Sequence, residues 1–94
     1  MSVDPNITER FSFTGQVQGV GFRWTTNRIA TGFAVTGFVR NRLDGTVELI
    51  VQGSRSAIDS FVSAVKSHFA KSIRSMTRES LESQNDFACF EIRR

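Results

Sequence analysis

The feature that most constrains the fold is the glycine-containing segment at residues 15–23, which reads GQVQGVGFR. Before it, phenylalanines alternate with polar residues, the period-two pattern of a strand. After it, apolar residues recur at steps of three and four, the pattern of a helix. A loop that leads from a strand into a helix leaves the N–H groups of the first helical turn unpaired at the positive end of the helix dipole. The segment therefore predicts an anion site.

Arg23 adds a permanent charge to this segment, and a guanidinium can bind two oxygens of one phosphoryl group. Taken alone, the segment fits a tight turn beside a solvated arginine equally well. Two known phosphate motifs are excluded. Gly19 is not followed by the Lys and Ser/Thr of a Walker loop, and Trp24 occupies the position of the third glycine of a dinucleotide-binding loop.

A second segment at residues 37–48 reads GFVRNRLDGTVE. Together the two segments resemble the acylphosphatase family, whose signatures are a G-x-V-Q-G-V-x-F-R loop and a G-[aromatic]-V-x-N strand that leads into a D-G-x-V turn. The resemblance extends from Phe11 to the ending FEIRR. It implies an enzyme that hydrolyses the carboxyl–phosphate bond of acyl phosphates to a carboxylate and inorganic phosphate.

Periodicity and turn residues predict the order β-α-β-β-α-β, with a final strand that can be split in two. The predicted strands and helices are strand 9–14, helix 22–33, strands 35–41 and 46–52, a helix from Ser54, an edge strand 73–81 and a last strand at Phe90 and Ile92. This order is the ferredoxin-like α+β sandwich, here an antiparallel sheet of four or five strands with two helices on one face. Residues 1–8 are expected to be a flexible N-terminal segment, and residues 9–94 a single domain.

Position 34 departs from the family pattern, because acylphosphatases usually have glycine where this chain has Ala34. Glycine there suits a left-handed backbone between the first helix and the next strand. Either the helix ends early at Gly32, or Ala34 is mildly strained.

Composition indicates which ligands and which cellular compartment suit the protein. A net charge of +3 in 94 residues favours small anionic ligands and is modest for a nucleic-acid binder. The single cysteine, Cys89, is interpreted as a small buried residue of the last strand, and its lack of a partner suits a reducing compartment. The chain lacks the parts of a signal peptide and any apolar stretch of membrane-spanning length. A cytoplasmic monomer with no membrane or nucleic-acid partner is expected.

The resemblance also implies the roles of individual residues. Arg23 would hold the phosphoryl oxygens, and Asn41 would orient the attacking water. Backbone N–H groups of the loop would complete the substrate site at Gln18, Gly19, Val20, Gly21 and Phe22. Each role has a plainer alternative. Asn41 also suits a cap of the hairpin turn, Thr46 is either a support for Asn41 or an ordinary strand residue, and Trp24 is either a lid or a surface aromatic.

The chemistry implied by the resemblance is direct attack of water, with no metal, no cofactor and no covalent intermediate. A carboxylate is a good leaving group, so phosphoryl transfer needs positioning and charge stabilisation more than a general acid. The sequence agrees, because it has no Cys-x₅-Arg motif, no clustered metal ligands and no Ser-His-Asp set. His68 is interpreted as a helix-end residue. Inorganic phosphate is expected to be both product and competitive inhibitor.

Two other functions are compatible with the same order of strands and helices. RNA-binding RRM domains share it, but their central strands carry aromatic and basic residues that the strand TVELIVQG lacks. The second alternative is a non-catalytic module that binds acyl or carbamoyl phosphate, as occurs inside larger maturation enzymes. This chain lacks the zinc-binding cysteine pairs that such enzymes append.

Overall fold

The computed structural model describes residues 6–82 and 86–94 and shows a five-stranded sheet with two helices. Its elements are β1 Ile7–Gly15, α1 Phe22–Ala30, β2 Val35–Asn41, β3 Val47–Gly53, α2 Arg55–His68, β4 Ile73–Leu81 and β5 Phe90–Arg93. The strand order is β4-β1-β3-β2-β5, so β4 is an edge strand as predicted. The predicted ferredoxin-like α+β architecture is confirmed.

The sheet is mixed, which corrects the prediction that it is wholly antiparallel. Strands β1 to β4 pair antiparallel, whereas β5 pairs parallel to β2. The reason is directional: β2 runs the same way as β1, and β4 runs the opposite way. β4 therefore finishes at the end of the sheet where β1 and β2 begin. Strand β5 follows β4, starts from that end and pairs with β2 at the opposite edge of the sheet, so it runs parallel to β2.

Strand β1 begins earlier than predicted. Ile7 pairs with Gly53 and Thr8 pairs with Gln52, so these two residues of the expected flexible segment belong to the sheet. Residues 1–5 of that segment lie outside the described residues.

Both helices cover one face of the sheet, and the predicted apolar stripes form the core. Phe11 and Phe13 of β1 are fully buried in this core, and the ring centroid of Phe13 lies 5.2 Å from that of Phe22 in α1. Apolar residues of β3 and α2 complete this part of the core: Val47, Leu49, Val51, Ile58, Phe61, Val62 and Val65, with Phe69 just after α2. Ser54 caps α2, because its Oγ accepts a hydrogen bond from the N–H of Ala57 at 3.1 Å.

The face without helices is less exposed than its polar sequence indicates. Glu48 of the central strand β3 is only 3% exposed. Arg10, Arg40 and Arg42 from neighbouring positions all bind its carboxylate, and these four residues are called the Glu48 cluster below. Burial alone would raise the pKa of Glu48, but hydrogen bonds from Arg42 and Arg40 outweigh it and hold that pKa below its ordinary value.

Helix α1 ends at Ala30, three residues before the predicted end at Phe33. Tight turns follow, in which the N–H groups of Gly32 and Phe33 donate to the carbonyls of Ile29 and Ala30. No residue other than glycine has a positive φ in the described part of the chain, so Ala34 is not left-handed. The strain hypothesis for Ala34 is therefore wrong.

Cys89 corrects another expectation, because its side chain is exposed and not buried. It precedes β5, which is a short edge strand with little chain packed over it. Its carbonyl accepts a hydrogen bond from the N–H of Gly37 at 3.0 Å. No helix within residues 6–82 or 86–94 combines the length and the apolar composition that a bilayer crossing requires.

Candidate active site

A cavity of about 300 Å³ opens where the β1–α1 loop, the end of β2 and the end of β5 meet. Its lining residues are Val17, Gly19, Gly21, Phe22, Arg23, Trp24, Asn41, Ile92 and Arg94. The two predicted catalytic residues, Arg23 and Asn41, are separated by eighteen positions in the chain and share this cavity. A volume of this size lies at the lower end of the range for small-molecule sites, about 300–1,000 Å³.

The loop has the backbone geometry that an anion site requires. Gly19 and Gly21 adopt left-handed φ values of 78° and 76°, which other residues rarely adopt. Gly21 is the N-cap of α1, so no side chain accepts a hydrogen bond there, and the first turn contains no acidic residue. The N–H groups of that turn are therefore left for a ligand, at the positive end of the helix dipole.

Arg23 lies in the first turn of α1 and forms no ion pair with any residue in the described ranges. Most other arginines of the sheet are bound to carboxylates, as the Glu48 cluster shows. A guanidinium without a carboxylate partner beside free N–H groups makes this end of the cavity attractive to an oxyanion.

Asn41 is the last residue of β2, and its Oδ1 is buried. Within the described chain this atom has no hydrogen-bond partner. A buried acceptor without a partner is costly, and such atoms in native proteins usually have a role for a ligand or water. The alternative role of Asn41 as the cap of the hairpin turn is wrong, since another residue caps it.

That residue is Asp44. Its Oδ1 accepts hydrogen bonds from the N–H of Thr46 at 3.0 Å and from the Oγ1 of Thr46 at 2.7 Å, and these bonds lower the pKa of Asp44. The Thr46 hydroxyl is thereby used within the turn, and Thr46 does not line the cavity. The geometry favours a structural Thr46 over a support for Asn41.

Gln18 connects the loop to the hairpin, a role that the sequence did not indicate. Its Nε2 donates to the main-chain carbonyls of Arg42 at 2.8 Å and Thr46 at 2.9 Å. Of the five predicted substrate-binding residues, Gly19, Gly21 and Phe22 line the cavity, whereas Gln18 and Val20 do not.

Trp24 lines the cavity mouth and is 60% exposed. The guanidinium of Arg28 lies 5.5 Å from its ring centroid, so the ring is partly covered on the helix surface. Ile92 and Arg94 of the chain's ending also line the cavity, and sequence reasoning missed them. Their period-two spacing was the available signal, because alternate residues of a strand share one face.

The fold and the cavity together define a class: a ferredoxin-like sandwich with a site for a small oxyanion. No group of three or more His, Cys, Asp or Glu side chains in the described portion is arranged to hold a metal ion.

Comparisons with known proteins narrow this class to one family. A sequence model of the acylphosphatase family matches residues 9–92. The acylphosphatase of Koribacter versatilis is 36% identical over 90 residues, which are 95% of this chain and 82% of that protein. The acylphosphatase of Lactobacillus gasseri is 44% identical over 59 residues, 63% of this chain and 65% of that protein, so the match spans less than two thirds of either. The crystal structure of the acylphosphatase from Bacillus subtilis superposes with a TM-score of 0.83 at 31% identity, covering 94% of this chain and 99% of that one.

The chain belongs to the acylphosphatase family. Its activity is the hydrolysis of acyl phosphates, as the resemblance of the two sequence segments implied. The alternative interpretation as an RRM domain is not favoured by any of these comparisons.

Proposed function

We propose that this cavity hydrolyses acyl phosphates to a carboxylate and inorganic phosphate by direct attack of water on phosphorus, without a metal ion or a phosphoenzyme. One observation carries the proposal. Arg23, which has no carboxylate partner in the described chain, and Asn41, whose buried Oδ1 lacks a partner there, line the same small cavity beside an uncapped helix N-terminus.

Arg23 holds the phosphoryl group. Its guanidinium donates to two phosphoryl oxygens, and the N–H groups of the loop and of the first turn of α1 donate to the remaining ones. Charge spreads over these oxygens in the transition state, where fixed donors stabilise it without reorganisation. Gly19, Gly21 and Phe22 supply loop positions that line the cavity, whereas Gln18 and Val20 act through the shape of the loop.

Asn41 orients the water. Its Oδ1 accepts a hydrogen bond from the water, whose oxygen then faces phosphorus, and the neutral amide brings no negative charge to the substrate anion. The new bond joins the water oxygen to phosphorus as the bond from phosphorus to the carboxyl oxygen breaks. The carboxylate leaves with that electron pair, and the water proton passes to the phosphate because an amide is not a useful base. His68 ends α2 and does not line the cavity.

The same site explains why inorganic phosphate is expected to be a competitive inhibitor. Inorganic phosphate presents the same oxygens as the substrate, so it competes for Arg23 and the loop. We also infer that the protein works in the cytoplasm as a monomer without nucleic-acid or membrane partners. Its modest net charge supports the lack of a nucleic-acid partner and its single cysteine supports a reducing compartment. Gel filtration tests the monomer, and localisation tests the compartment. A non-catalytic binding module would retain phosphate binding but show no turnover.

The decisive experiment is hydrolysis of benzoyl phosphate in ¹⁸O-labelled water with and without EDTA. We expect EDTA to leave turnover unchanged and the label to appear in phosphate, since water attacks phosphorus. Acid quenching with ³²P-labelled substrate is expected to trap no protein-bound phosphate. Label in benzoate, loss of activity with EDTA that a divalent ion restores, or a trapped phosphoprotein would each overturn the mechanism.

A further inference from the structure

Two neighbouring arginines on β5 and just after it differ in their surroundings. The guanidinium of Arg93 lies 4.2 Å from the ring centroid of Phe38 and binds the carboxylate of Glu91 at 3.1 Å, on the face of the sheet without helices. Arg94 instead lines the cavity that contains Arg23 and Asn41. The alternation of a strand thus places two adjacent cations on opposite sides.

Arg94 also lines a second, more open cavity of about 540 Å³. Asn41 is the other residue that the two cavities share, so Arg94 and Asn41 lie where they adjoin. Arg40 and Arg42 line the second cavity too, but both are bound to Glu48. Arg94 forms no ion pair with a described residue, and so its charge is available to a ligand.

The charge of the substrate explains why a second cation at this cavity would be useful. At neutral pH the phosphoryl group of an acyl phosphate carries close to two negative charges. Arg23 contributes one positive charge, and the N-terminus of α1 contributes the equivalent of about half a charge. A second cation at the same cavity would bring the positive charge close to the negative charge of the phosphoryl group. The nearby Arg28 is not that cation, because its guanidinium is positioned over the ring of Trp24.

We propose that Arg94 is a second phosphoryl-binding cation of this enzyme, which contacts the bound phosphate group from the side of β5 while Arg23 contacts it from α1. This inference rests on the proposed function of the cavity. Because Arg94 is exposed and has no ion-pair partner within residues 6–82 and 86–94, it acts mainly as a point charge that strengthens binding of substrate and product.

The test uses phosphate titration of Trp24 fluorescence, together with KM and kcat for benzoyl phosphate. Trp24 lines the same cavity and is the only tryptophan, and the chain has no tyrosine. Arg94→Gln is expected to raise both the Kd for phosphate and KM about tenfold, the loss of roughly one charge-assisted hydrogen bond, with a smaller change in kcat. Arg94→Lys is expected to restore most of the affinity, since a point charge is sufficient.

Arg93→Gln is the matched control, because it removes the same charge from the adjacent position on the other side of the sheet. It is expected to leave the Kd for phosphate unchanged. Two results would overturn the inference: a Kd in Arg94→Gln within twofold of the wild type, or equal weakening by Arg93→Gln. A wild type that binds phosphate without turnover would instead refute the proposed hydrolysis, and the Kd comparison would still decide the role of Arg94.

Discussion

The side-chain amide of Gln18 donates a hydrogen bond to the main-chain carbonyl of Thr46 over 2.9 Å, which connects the β1–α1 loop to the hairpin turn that follows Asn41. A second bond from the same nitrogen reaches the carbonyl of Arg42 at 2.8 Å. The loop leads directly into the first turn of α1, which carries Arg23, and the hairpin turn directly follows Asn41 at the end of β2. The amide therefore fixes the position of Arg23 relative to Asn41 without facing the cavity.

Replacing Gln18 by alanine should lower kcat/KM for benzoyl phosphate by up to about 10²-fold, because a shift of about 1 Å between the catalytic groups is that costly. The loss of two neutral hydrogen bonds should also destabilise the fold by about 1–3 kcal/mol in a urea melt. Gln18→Glu should be worse, since a carboxylate would repel both carbonyl oxygens. Gln16→Ala, an exposed position in the same loop, is the control. Equal kinetics for the Gln18→Ala and Gln16→Ala variants would show that the link has no role in catalysis.

Arg23→Ala should abolish the fluorescence response of Trp24 to phosphate and reduce turnover by at least ~10²-fold, because the guanidinium binds the phosphoryl group in both ground and transition states. Arg23→Lys should recover little, since an ammonium cannot bind two oxygens in the same geometry. Arg55→Ala provides a matched control, because Arg55 also lies in the first turn of a helix but at the opposite end of β3. A normal phosphate titration in Arg23→Ala would contradict the assignment.

Asn41→Ala should leave phosphate titration of Trp24 close to normal while kcat falls by at least ~10²-fold, because only the group that orients the water is lost. Asn41→Asp should weaken phosphate binding more than Asn41→Ala, since its carboxylate would repel the anion. The measurements are a fluorescence titration and a kcat for each variant. Loss of phosphate binding as complete as that of Arg23→Ala would refute the division of roles between the two residues.

Glu48→Gln should destabilise the protein by about 3 kcal/mol at neutral pH, because it leaves three guanidinium groups without their buried carboxylate. Since the folded-state pKa of Glu48 lies below its ordinary value, its contribution to stability is complete above the ordinary value of 4.5 and is lost as pH falls through the folded-state pKa. The free energy of unfolding of the wild type should therefore fall more steeply below pH 4.5 than that of Glu48→Gln.

Glu91→Gln is the control for this measurement, because Glu91 is exposed and its one ion-pair partner among the described residues is Arg93. Its free energy of unfolding should lie within about 1 kcal/mol of the wild type, the usual value of a surface ion pair. Parallel pH curves for the wild type and Glu48→Gln would show that the Glu48 carboxylate has no linked contribution.

The sequence predicted the bounds and the buried faces of strands and helices best where one face meets the core. β2 has its predicted bounds, and the stripe of α2 from Ile58 to Phe69 is buried throughout, because periodicity records burial on one side. The glycine-containing loop between a strand and a helix was also predicted, and the structure shows in addition that Gly19 and Gly21 are left-handed there. The pairing of Arg23 with Asn41 came from the family resemblance and not from spacing.

Other features depended on partners that no local pattern encodes. Glu48 alternates with buried residues as a polar strand position should, yet three arginines from other parts of the sheet cover it. The bonds of Gln18 end on main-chain carbonyls, which carry no residue signature. Cys89 was assigned to the interior from its residue type, whereas its position next to an edge strand leaves it exposed.

The parallel strand β5 has a consequence for how the enzyme becomes active. Ile92 and Arg94 reach the cavity through the pairing of β5 with β2, whose other neighbour in the sheet is β3. The walls of the cavity thus come from opposite ends of the chain, and their assembly requires contacts of very high sequence separation. When a ribosome has synthesised two thirds of this chain, Arg23 and Asn41 are present, but Ile92 and Arg94, which also line the cavity, are not. The complete lining of the binding site therefore requires the pairing of β5 with β2, in addition to the collapse of the core around β1 and β3.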